Sequence, residues 1–543
     1  MKFFYLRFIG YLKSLIELRT MRLNIKRLEE KVADGNAEVP FTTVTTDQYF
    51  AREYGRSSER LNHQLHAPLS SRRTKLLLTE DFHLNRRNFS SLHKYLEASK
   101  AQVTLGIKPD TYAFQLMQAN GNYDEHSSAL ASYLKNIENK SSAELKALKR
   151  HSTPIRELVF EELLCARIHL KHWQSQQIEK DSAVVFDIAW EHDRTTLLNC
   201  YAAALFWFDF WQKIPDLDKQ HIAVIFSGSR IYCRTLMQIL RKTQVRCYVA
   251  ETFLTGNHFY LEHRYTPISN SSNSRHSNHI VADLNSDLDS KAKRIRAIQA
   301  HNAFRSMKNK NVTQPPEQAL SFTQGYQNVH LILGQVINDY SIISGDGTVL
   351  STIPAYKKMI EALLADEDAL VVFKAHPWET AKYGDLGNVT LKYLQDWQEC
   401  LPAHQKERLV LLENSNLRQL LRECSGVFTL CSQGAIEAAL EGFKPYVIGG
   451  AFYDQGGFTN NLSSTGELRK IVEDNKLVCT LSLEEYEGLE AYLSFMILDH
   501  LFLANNCPLH RISAMLQEPQ SLPHIKSKAS EISIRPTFEE ALA

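Results

Sequence analysis

Residues 428–459 read FTLCSQGAIEAALEGFKPYVIGGAFYDQGGFT and contain a strand, a tight turn, a helix and a second strand. The apolar residues 427–430 predict the first strand, and residues 445–448 predict the second. Helical spacing begins at Ala435 and ends at Gly442, a residue type that often follows the last turn of a helix. Such a βαβ unit is typical of parallel sheets, which bind ligands at the carboxyl ends of their strands.

The turn between this strand and this helix, residues 431–434, carries groups that suit a phosphate. Backbone N–H groups lie at the positive end of the helix dipole, and Ser432 adds a hydroxyl donor. Glu437, about one turn into the helix, is placed to reach a pair of ribose hydroxyls. An ordinary βα turn with an acidic residue favoured by the dipole explains the same residues, so the turn alone leaves both interpretations open.

The composition is that of a soluble globular protein. The 543 residues suffice for two or three domains, and the chain is 44% apolar and 23% charged. A net charge of +1 gives no sign of a dedicated nucleic-acid binder, so we expect no nucleic-acid partner. The nine cysteines are scattered and form no C-x-x-C pair, which predicts reduced thiols in a cytoplasmic protein rather than disulfides or a zinc site.

The N-terminal residues 1–31 mix apolar and basic side chains at helical spacing. Charges interrupt every apolar run, so the segment is not a secretory signal, and no run approaches the ~20 residues that span a bilayer. A basic amphipathic helix binds anionic membrane surfaces, which predicts peripheral contact with the inner membrane. A helix that packs on the protein or mediates self-association explains the pattern equally well.

Short apolar runs alternate with helical patterns on both sides of Pro315-Pro316. This alternation predicts an α/β protein with two Rossmann-like domains that face a central cleft, preceded by an extra N-terminal helical segment. The predicted strands include residues 74–78, 102–105, 183–189, 221–226, 245–250, 329–333, 369–373 and 408–412. The predicted helices include residues 90–99, 155–177, 201–211, 231–241, 353–365 and 417–423.

Polar side chains follow four of the predicted strands. They are Glu251, the loop of residues 334–341, residues 374–377 (Lys-Ala-His-Pro), and the turn that carries Ser432 and Glu437. Because each follows an apolar β run, we expect all four at one cleft. His376 can donate to a phosphate oxygen while Pro377 stiffens its turn, although a lone His-Pro pair is more often an ordinary loop.

In this order, the motifs resemble the capsule polysaccharide biosynthesis family. The matching residues of the second half are Gly334, Gln335, Val336, Asp339, Ser341, Lys374, His376, Pro377, Ser432, Glu437, Gly442, Tyr453, Gly457 and Thr459. Glu251 with Gly256 resembles the family's Glu-containing motif in the N-terminal half. The resemblance covers roughly residues 220–465, and the characterised members of this family are bacterial retaining β-Kdo glycosyltransferases.

The resemblance implies a GT-B arrangement with CMP-Kdo bound mainly by the C-terminal domain. It implies that His376 and Ser432 hold the phosphate and that Glu437 holds the ribose. The other donor-binding residues it implies are Gln335, Lys374, Pro377, Gln433, Gly434, Tyr453 and Thr459. A single phosphate and the lack of a carboxylate cluster in the sequence predict that no metal or other cofactor is needed.

Retention of configuration in the family implies a double displacement. Asp339 matches the nucleophile and Glu251 matches the acid/base residue, as in retaining glycosidase chemistry. We expect Asn338 and Ser341 to orient Asp339. The carboxylate of Kdo needs a basic partner, for which Arg230, Arg234 and Lys374 are candidates.

The acceptor implied by the resemblance is a capsule or lipopolysaccharide glycan or glycolipid. Glu191, His192 and Arg230 are candidates to bind it. The predicted division of the chain is a helical segment (1–60), an acceptor-side Rossmann-like domain (61–318), a nucleotide-sugar domain (319–505) and a tail (506–543). Two other functions stay open, namely a GT-B transferase or epimerase that uses a UDP- or GDP-sugar, and a noncatalytic partner in polysaccharide assembly or export.

Overall fold

The computed structural model describes residues 74–175, 177–276, 281, 288–306, 315–317, 320–345 and 347–517. The prediction of an amphipathic helical segment in residues 1–60 lies outside these ranges. Within the described part of the chain, no helix is both long enough and apolar enough to cross a membrane.

Short strands recur along the described chain. In order they are β1 (Lys75–Leu78), β2 (Gln102–Leu105), β3 (Lys149–Arg150), β4 (Thr153–Pro154), β5 (Ile222–Phe226), β6 (Arg246–Thr252), β7 (His258–His263), β8 (Asn328–Leu333), β9 (Ala369–Lys374), β10 (Leu409–Leu412), β11 (Gly426–Thr429), β12 (Tyr446–Val447), β13 (Asn460–Asn461) and β14 (Phe502–Leu503). Strands β3 and β4 pair as a small antiparallel hairpin, and the others form two six-stranded sheets.

Helices separate most of these strands. In order they are α1 (Ser90–Ala98), α2 (Tyr112–Gln118), α3 (Ala131–Lys135), α4 (Ser142–Lys146), α5 (Ile155–Arg167), α6 (Lys171–Gln174), α7 (Ser182–His192), α8 (Arg194–Gln212), α9 (Ile231–Leu240), α10 (Ser290–Ser306), α11 (Tyr340–Ile343), α12 (Thr352–Leu363), α13 (Pro377–Tyr383), α14 (Val389–Gln398), α15 (Ala403–Lys406), α16 (Leu417–Glu423), α17 (Gly434–Leu440), α18 (Thr465–Glu473), α19 (Leu483–Ser494) and α20 (Leu509–Gln517). A π-helical turn, Phe495–His500, follows α19.

The first sheet has the strand order β14-β7-β6-β5-β1-β2. Strands β2, β1, β5 and β6 are parallel, whereas β7 runs antiparallel to β6 and β14 antiparallel to β7. The first four residues of β5, which reads IAVIF, are buried, as expected for a parallel strand covered on both faces.

The second sheet is parallel throughout, with the order β10-β9-β8-β11-β12-β13. All six residues of β9 are buried. Helices lie between most successive strands of both sheets, with β6–β7 and β12–β13 as exceptions, so the predicted α/β class with two Rossmann-like sheets is confirmed.

The prediction of a strand at residues 183–189 is wrong, because these residues lie in helix α7. The Asp181 carboxylate accepts hydrogen bonds from the backbone N–H groups of Ala183 (2.6 Å) and Val184 (3.3 Å) and so caps the helix. A short apolar run fits a buried strand and a buried helix equally well, and here the cap favours the helix.

The predicted helix of residues 155–177 is shorter in the structure, where α5 ends at Arg167 and α6 follows. The break lets Trp173 bury its ring, and its indole N–H donates to Asp193 at 2.8 Å. Asp193 lies between α7 and α8, so residues 190–195 join two helices and do not follow a strand.

The last part of the described chain returns to the first sheet. Strand β14 pairs with β7, and Ile512 and Leu516 of α20 are fully buried in a cluster that includes Leu92 of α1. The predicted tail from residue 506 is therefore wrong as far as residue 517, because apolar residues four apart form one buried helix face.

We expect Ile512→Ala to lower the free energy of unfolding by about 2–5 kcal/mol, because it leaves a cavity under α20. Urea denaturation followed by circular dichroism measures this change. His510→Ala, at an exposed position of the same helix, is the matched control and should change stability little. Equal stability of Ile512→Ala and wild type would show that α20 does not contribute to the fold.

Candidate functional site

A cavity of about 390 Å³ lies where the carboxyl ends of strands from both sheets meet. The first sheet contributes the end of β6, and the second contributes the loops that follow β8, β9 and β11. Parallel strands place these ends at the same edge of a sheet, which explains why residues far apart in sequence converge here.

Ten of the predicted site residues line this cavity. They are Glu251, Gln335, Asp339, Lys374, His376, Pro377, Ser432, Gln433, Gly434 and Glu437. The structure thus brings together all four predicted strand ends. The roles assigned to these residues stay predictions.

Two predicted donor-binding residues lie behind the lining. The Tyr453 hydroxyl donates to the backbone oxygen of Ser432 at 2.5 Å, so Tyr453 supports the turn. The Thr459 hydroxyl donates to the backbone oxygen of Asp454 (3.2 Å) and lies 2.9 Å from the Asn461 side-chain oxygen. The fold fixes both residues beneath the cavity wall, where contact with a bound molecule would be indirect.

The predicted acceptor-binding residues are not among those that line the cavity. Glu191 and His192 lie in the last turn of α7, and the Glu191 side chain is 75% exposed. Arg230 donates to the backbone oxygen of Met117 at 3.3 Å and lies close enough to the buried Glu162 to interact with it electrostatically. The structure does not bring these three residues to the site.

Glu251 is the next-to-last residue of β6 and pairs in register with Tyr260 of β7. Burial, together with the nearby Asp339 carboxylate, raises the pKa of its carboxyl group to about 7. Hydrogen bonds from the Ser227 side chain and the Ser269 backbone oppose this rise. Its Oε2 atom is buried and makes no hydrogen bond with the described residues. The group is therefore poised to exchange a proton near neutral pH.

Asp339 caps the short helix α11, and its carboxylate accepts a hydrogen bond from the Ser341 backbone N–H at 2.9 Å. Ser341 thus orients Asp339, as expected. Asn338 does not, because its side-chain amide donates to the backbone oxygen of Cys165 at 2.5 Å. That bond anchors the loop to α5 instead.

Gln335 joins the Asp339 loop to the Ser432 turn. Its Nε2 donates to Ser341 Oγ at 2.9 Å, and its Oε1 accepts from the Cys431 backbone N–H at 3.1 Å. Its own backbone N–H donates to the Tyr356 hydroxyl at 2.8 Å. Since both ends of the carboxamide are engaged, Gln335 holds the two loops together at the cavity wall.

His376 caps α13, and Pro377 takes the first position of that helix, where its missing N–H costs nothing. The Nδ1 atom of His376 accepts from the Trp378 backbone N–H at 3.2 Å, so the ring proton of the neutral form lies on Nε2. Burial lowers the pKa of His376, which Asp339 partly counteracts and Lys374 reinforces. A neutral ring with an Nε2–H donor suits a phosphate oxygen.

Lys374 ends β9 and is 7% exposed. Burial lowers the pKa of its ammonium group, whereas the nearby Glu437 carboxylate raises it. The ammonium makes no hydrogen bond to the described residues, and of the three candidates to bind a sugar carboxylate it is the one that lines the cavity. Arg234 is instead paired with Glu161.

The Ser432 turn offers fewer free backbone N–H groups than expected of a phosphate-binding site. The backbone N–H of Gly434 donates to Ser432 Oγ at 3.3 Å, and those of Ala435 and Ile436 donate to backbone oxygens at 3.1 and 3.0 Å. These donors are engaged within the turn, so the Ser432 O–H and the Gln433 N–H are the donors left for an anion.

Comparison with known proteins agrees with the motifs. Residues 256–478 match the family model described as capsule polysaccharide biosynthesis protein. This match covers less than half of the chain. It contains the Asp339, His376 and Ser432 motifs and leaves Glu251 just outside its boundary. The predicted resemblance to this family is confirmed, and none of the curated proteins matches this chain.

Similar solved structures include two from Thermosulfurimonas dismutans. KpsC, beta Kdo 2,4 transferase, is 16% identical, with 55% of this chain and 87% of that chain covered and a TM-score of 0.38. KpsC, beta Kdo 2,7 transferase, is 15% identical, with 55% and 81% covered and a TM-score of 0.32. A UDP-forming trehalose-phosphate synthase from Burkholderia xenovorans is 9% identical, with 78% and 94% covered and a TM-score of 0.30. All three TM-scores are below 0.5.

Several cavity residues carry no motif. Trp378 follows the His-Pro pair directly in the sequence, which would have been a usable signal, and its side chain is 42% exposed. Phe304 lies near the end of a charged helix, and Phe452 lies in the loop after β12, so nothing in the sequence joins them. Asn270 comes from a polar loop and donates to the backbone oxygen of Ser341 at 2.8 Å. These contacts depend on tertiary structure.

Cys431 also lines the cavity and is a potential nucleophile by residue type. Burial raises the pKa of its thiol to about 12, and its Sγ donates to Gln335 Oε1 at 2.9 Å. Since the thiolate is the reactive form of cysteine, this side chain is a poor nucleophile. The cavity carboxylates are the stronger candidates.

We expect iodoacetamide at pH 8 to alkylate the exposed Cys400 and to leave Cys431 unmodified in the folded protein. Peptide mass spectrometry measures both sites in one digest. Alkylation in denaturant should modify both and provides the control. Equal modification of both cysteines in the folded protein would contradict the buried, protonated state of Cys431.

Proposed function

We propose that this protein is a retaining glycosyltransferase that moves Kdo, or a related sugar acid, from a CMP donor to a capsule or lipopolysaccharide glycan or glycolipid. The observation that carries the proposal is the meeting of Glu251 and Asp339, from different sheets, in one cavity. Their electrostatic interaction raises the pKa of Glu251, so the two carboxylates are close. The match of residues 256–478 to the family model supports the same function.

In the first step, an Asp339 carboxylate oxygen attacks the anomeric carbon of the sugar. The bond from that carbon to the phosphate oxygen breaks, and CMP leaves with the electron pair. Because the Ser341 N–H holds one carboxylate oxygen at 2.9 Å, the attacking group is oriented before the donor arrives. The product of this step is a sugar ester of Asp339.

In the second step, the acceptor hydroxyl attacks the same carbon and the bond to Asp339 breaks. Glu251 takes the hydroxyl proton, for which it must be ionised. Two inversions give net retention. The aromatic side chains beside Glu251, including Tyr260 and Phe452, give this end of the cavity an apolar wall for the acceptor sugar.

The donor binds at the second sheet in this proposal. The Nε2–H of His376 and the Ser432 hydroxyl donate to the phosphate, and Glu437 accepts from the ribose hydroxyls. Lys374 balances the negative charge of the phosphate or of the sugar carboxylate. Two neutral donors and one ammonium suit a single phosphate, so we propose a CMP-sugar as donor and no requirement for a metal.

The acceptor is a glycan or glycolipid at the cytoplasmic side of the inner membrane. The basic, amphipathic sequence of residues 1–31 supports peripheral contact with that surface. Glycolipid transfer by a protein held at the membrane would not require the lipid to leave the bilayer.

We expect incubation with CMP-Kdo to give a covalent sugar adduct on the wild-type protein, detected by intact-mass spectrometry. Asp339→Ala should abolish the adduct. Glu251→Gln should accumulate it even with acceptor present, because loss of the base slows the second step by about 10²–10⁴-fold. Asp385→Ala, which removes an exposed carboxylate near α13, is the control and should behave as wild type. Adduct formation or full turnover by Asp339→Ala would overturn this mechanism, and turnover of UDP- or GDP-sugars alone would overturn the donor.

We expect kcat/KM for the acceptor to fall at acidic pH, with a midpoint below about 7. The pKa of Glu251 is raised to about 7 while Asp339 is a free carboxylate, and the Asp339 ester lacks the charge that contributes to this rise, so the base that meets the acceptor titrates at a lower pH. Measuring kcat/KM for the acceptor from pH 5 to 9 checks this. In Glu251→Gln this step should disappear from the remaining activity. A step of unchanged position in that variant would assign the titration to another group.

A further inference from the structure

Glu379 is a fully buried carboxyl group outside the cavity lining. It lies in the first turn of α13, directly after the His376-Pro377-Trp378 segment. Burying an ionisable side chain costs folding free energy, so a fully buried Glu at this position suggests a specific role.

The Glu379 carboxylate connects α13 to the start of α14. Its Oε1 accepts from the Thr390 backbone N–H at 2.8 Å and from the Thr390 hydroxyl at 2.9 Å. Its Oε2 is buried and has no hydrogen-bond partner among the described residues, although the backbone N–H of Ile337, in the loop after β8, lies near enough to lower the pKa of the carboxyl group. Burial outweighs these donors and raises the pKa to about 7.

The position of Ile337 bears on the reaction because Ile337 lies two residues before Asp339. The Ile337 side chain is 1% exposed and packs with Ile353 and Val389. The backbone N–H of Glu379 itself donates to the His376 backbone oxygen at 3.1 Å. Glu379 is therefore bonded to the segment that carries His376 and is connected to the segment that carries Asp339 through Thr390, whose neighbour Val389 packs with Ile337.

We infer that Glu379 is a positioning residue that sets the spacing between Asp339 and His376, an inference that rests on the proposed glycosyl transfer. Asp339 and His376 interact, since the carboxylate raises the pKa of the ring. Glu379→Gln keeps the volume but replaces one acceptor oxygen with an NH₂ donor. In the position of Oε1 this group would face the two Thr390 donors, and in the position of Oε2 it would be buried without a partner.

The test compares Glu379→Gln with wild type in donor kinetics and in the pKa of His376 measured by NMR. We expect kcat to fall about 10- to 100-fold, because a small misplacement of the nucleophile has an effect of this size. The donor KM should change less than about 3-fold, because the donor contacts remain. The pKa of His376 should fall, because the Asp339 charge no longer lies as close.

Asp193→Asn is the matched control. Asp193 is also a buried carboxylate, with a side chain 8% exposed that accepts from Trp173 and contacts His172, but it lies outside the cavity lining. It should keep kcat and the His376 pKa even if it loses stability. If Glu379 had a purely structural role, Glu379→Gln would keep kcat and the His376 pKa, as Asp193→Asn does.

Thr390→Val serves as a second variant if Glu379→Gln does not fold. It removes one donor to Glu379 and should lower kcat in the same direction by about 3- to 10-fold. Unchanged kcat and unchanged His376 pKa in the folded variants would overturn the inference while wild-type transfer continues. An inactive wild type would instead contradict the proposed function, and the His376 pKa would still report the spacing.

Discussion

The parallel register of β8 with both of its neighbours is the constraint on which the site depends. Leu333 aligns with Lys374 of β9 on one side and with Thr429 of β11 on the other. The loops that follow these strands, which carry Asp339, His376 and Ser432, therefore begin at the same edge of the sheet. A slip of one residue in either pairing would turn these side chains toward the other face of the sheet. The Gln335 carboxamide then fixes the distance between two of these loops.

Burial in this cavity disfavours the charged forms of acids and bases alike. It raises the pKa of Glu251 and lowers the pKa values of His376 and Lys374. The Asp339 carboxylate, in contrast to Oε2 of Glu251, accepts a hydrogen bond, from the Ser341 N–H. Two nearby carboxyl groups in unlike surroundings are the usual arrangement for a nucleophile and an acid/base pair. Residues with shifted pKa values often cluster at functional sites, and the cavity contains several such residues.

The sequence predicted the sheets and strand ends well, because buried parallel strands are continuous apolar runs and their ends define the ligand edge. The sequence-based predictions were wrong where a local pattern fits both a strand and a helix, or where tertiary contacts determine the hydrogen-bond partners of a residue. Residues 183–189 are as apolar as a strand, and the Asp181 cap makes them helical. The donors of the Ser432 turn looked free, yet Ser432 itself occupies one of them. Glu379 and Thr390 had no recognisable pattern, because their pairing depends on how α13 and α14 pack.

The charges in the cavity change during the proposed reaction, and these changes alter the pKa of Glu251 at each step. Lys374 is the one Lys or Arg among the described lining residues, which also include Glu251, Asp339 and Glu437. A CMP-linked sugar acid brings a phosphate charge and a carboxylate charge into this space. Both charges raise the pKa of Glu251 further, so donor binding favours its protonated form. Departure of CMP removes the phosphate charge and neutralises Asp339 as an ester, which lowers the pKa of Glu251. The base therefore ionises at the stage when the acceptor hydroxyl must lose its proton.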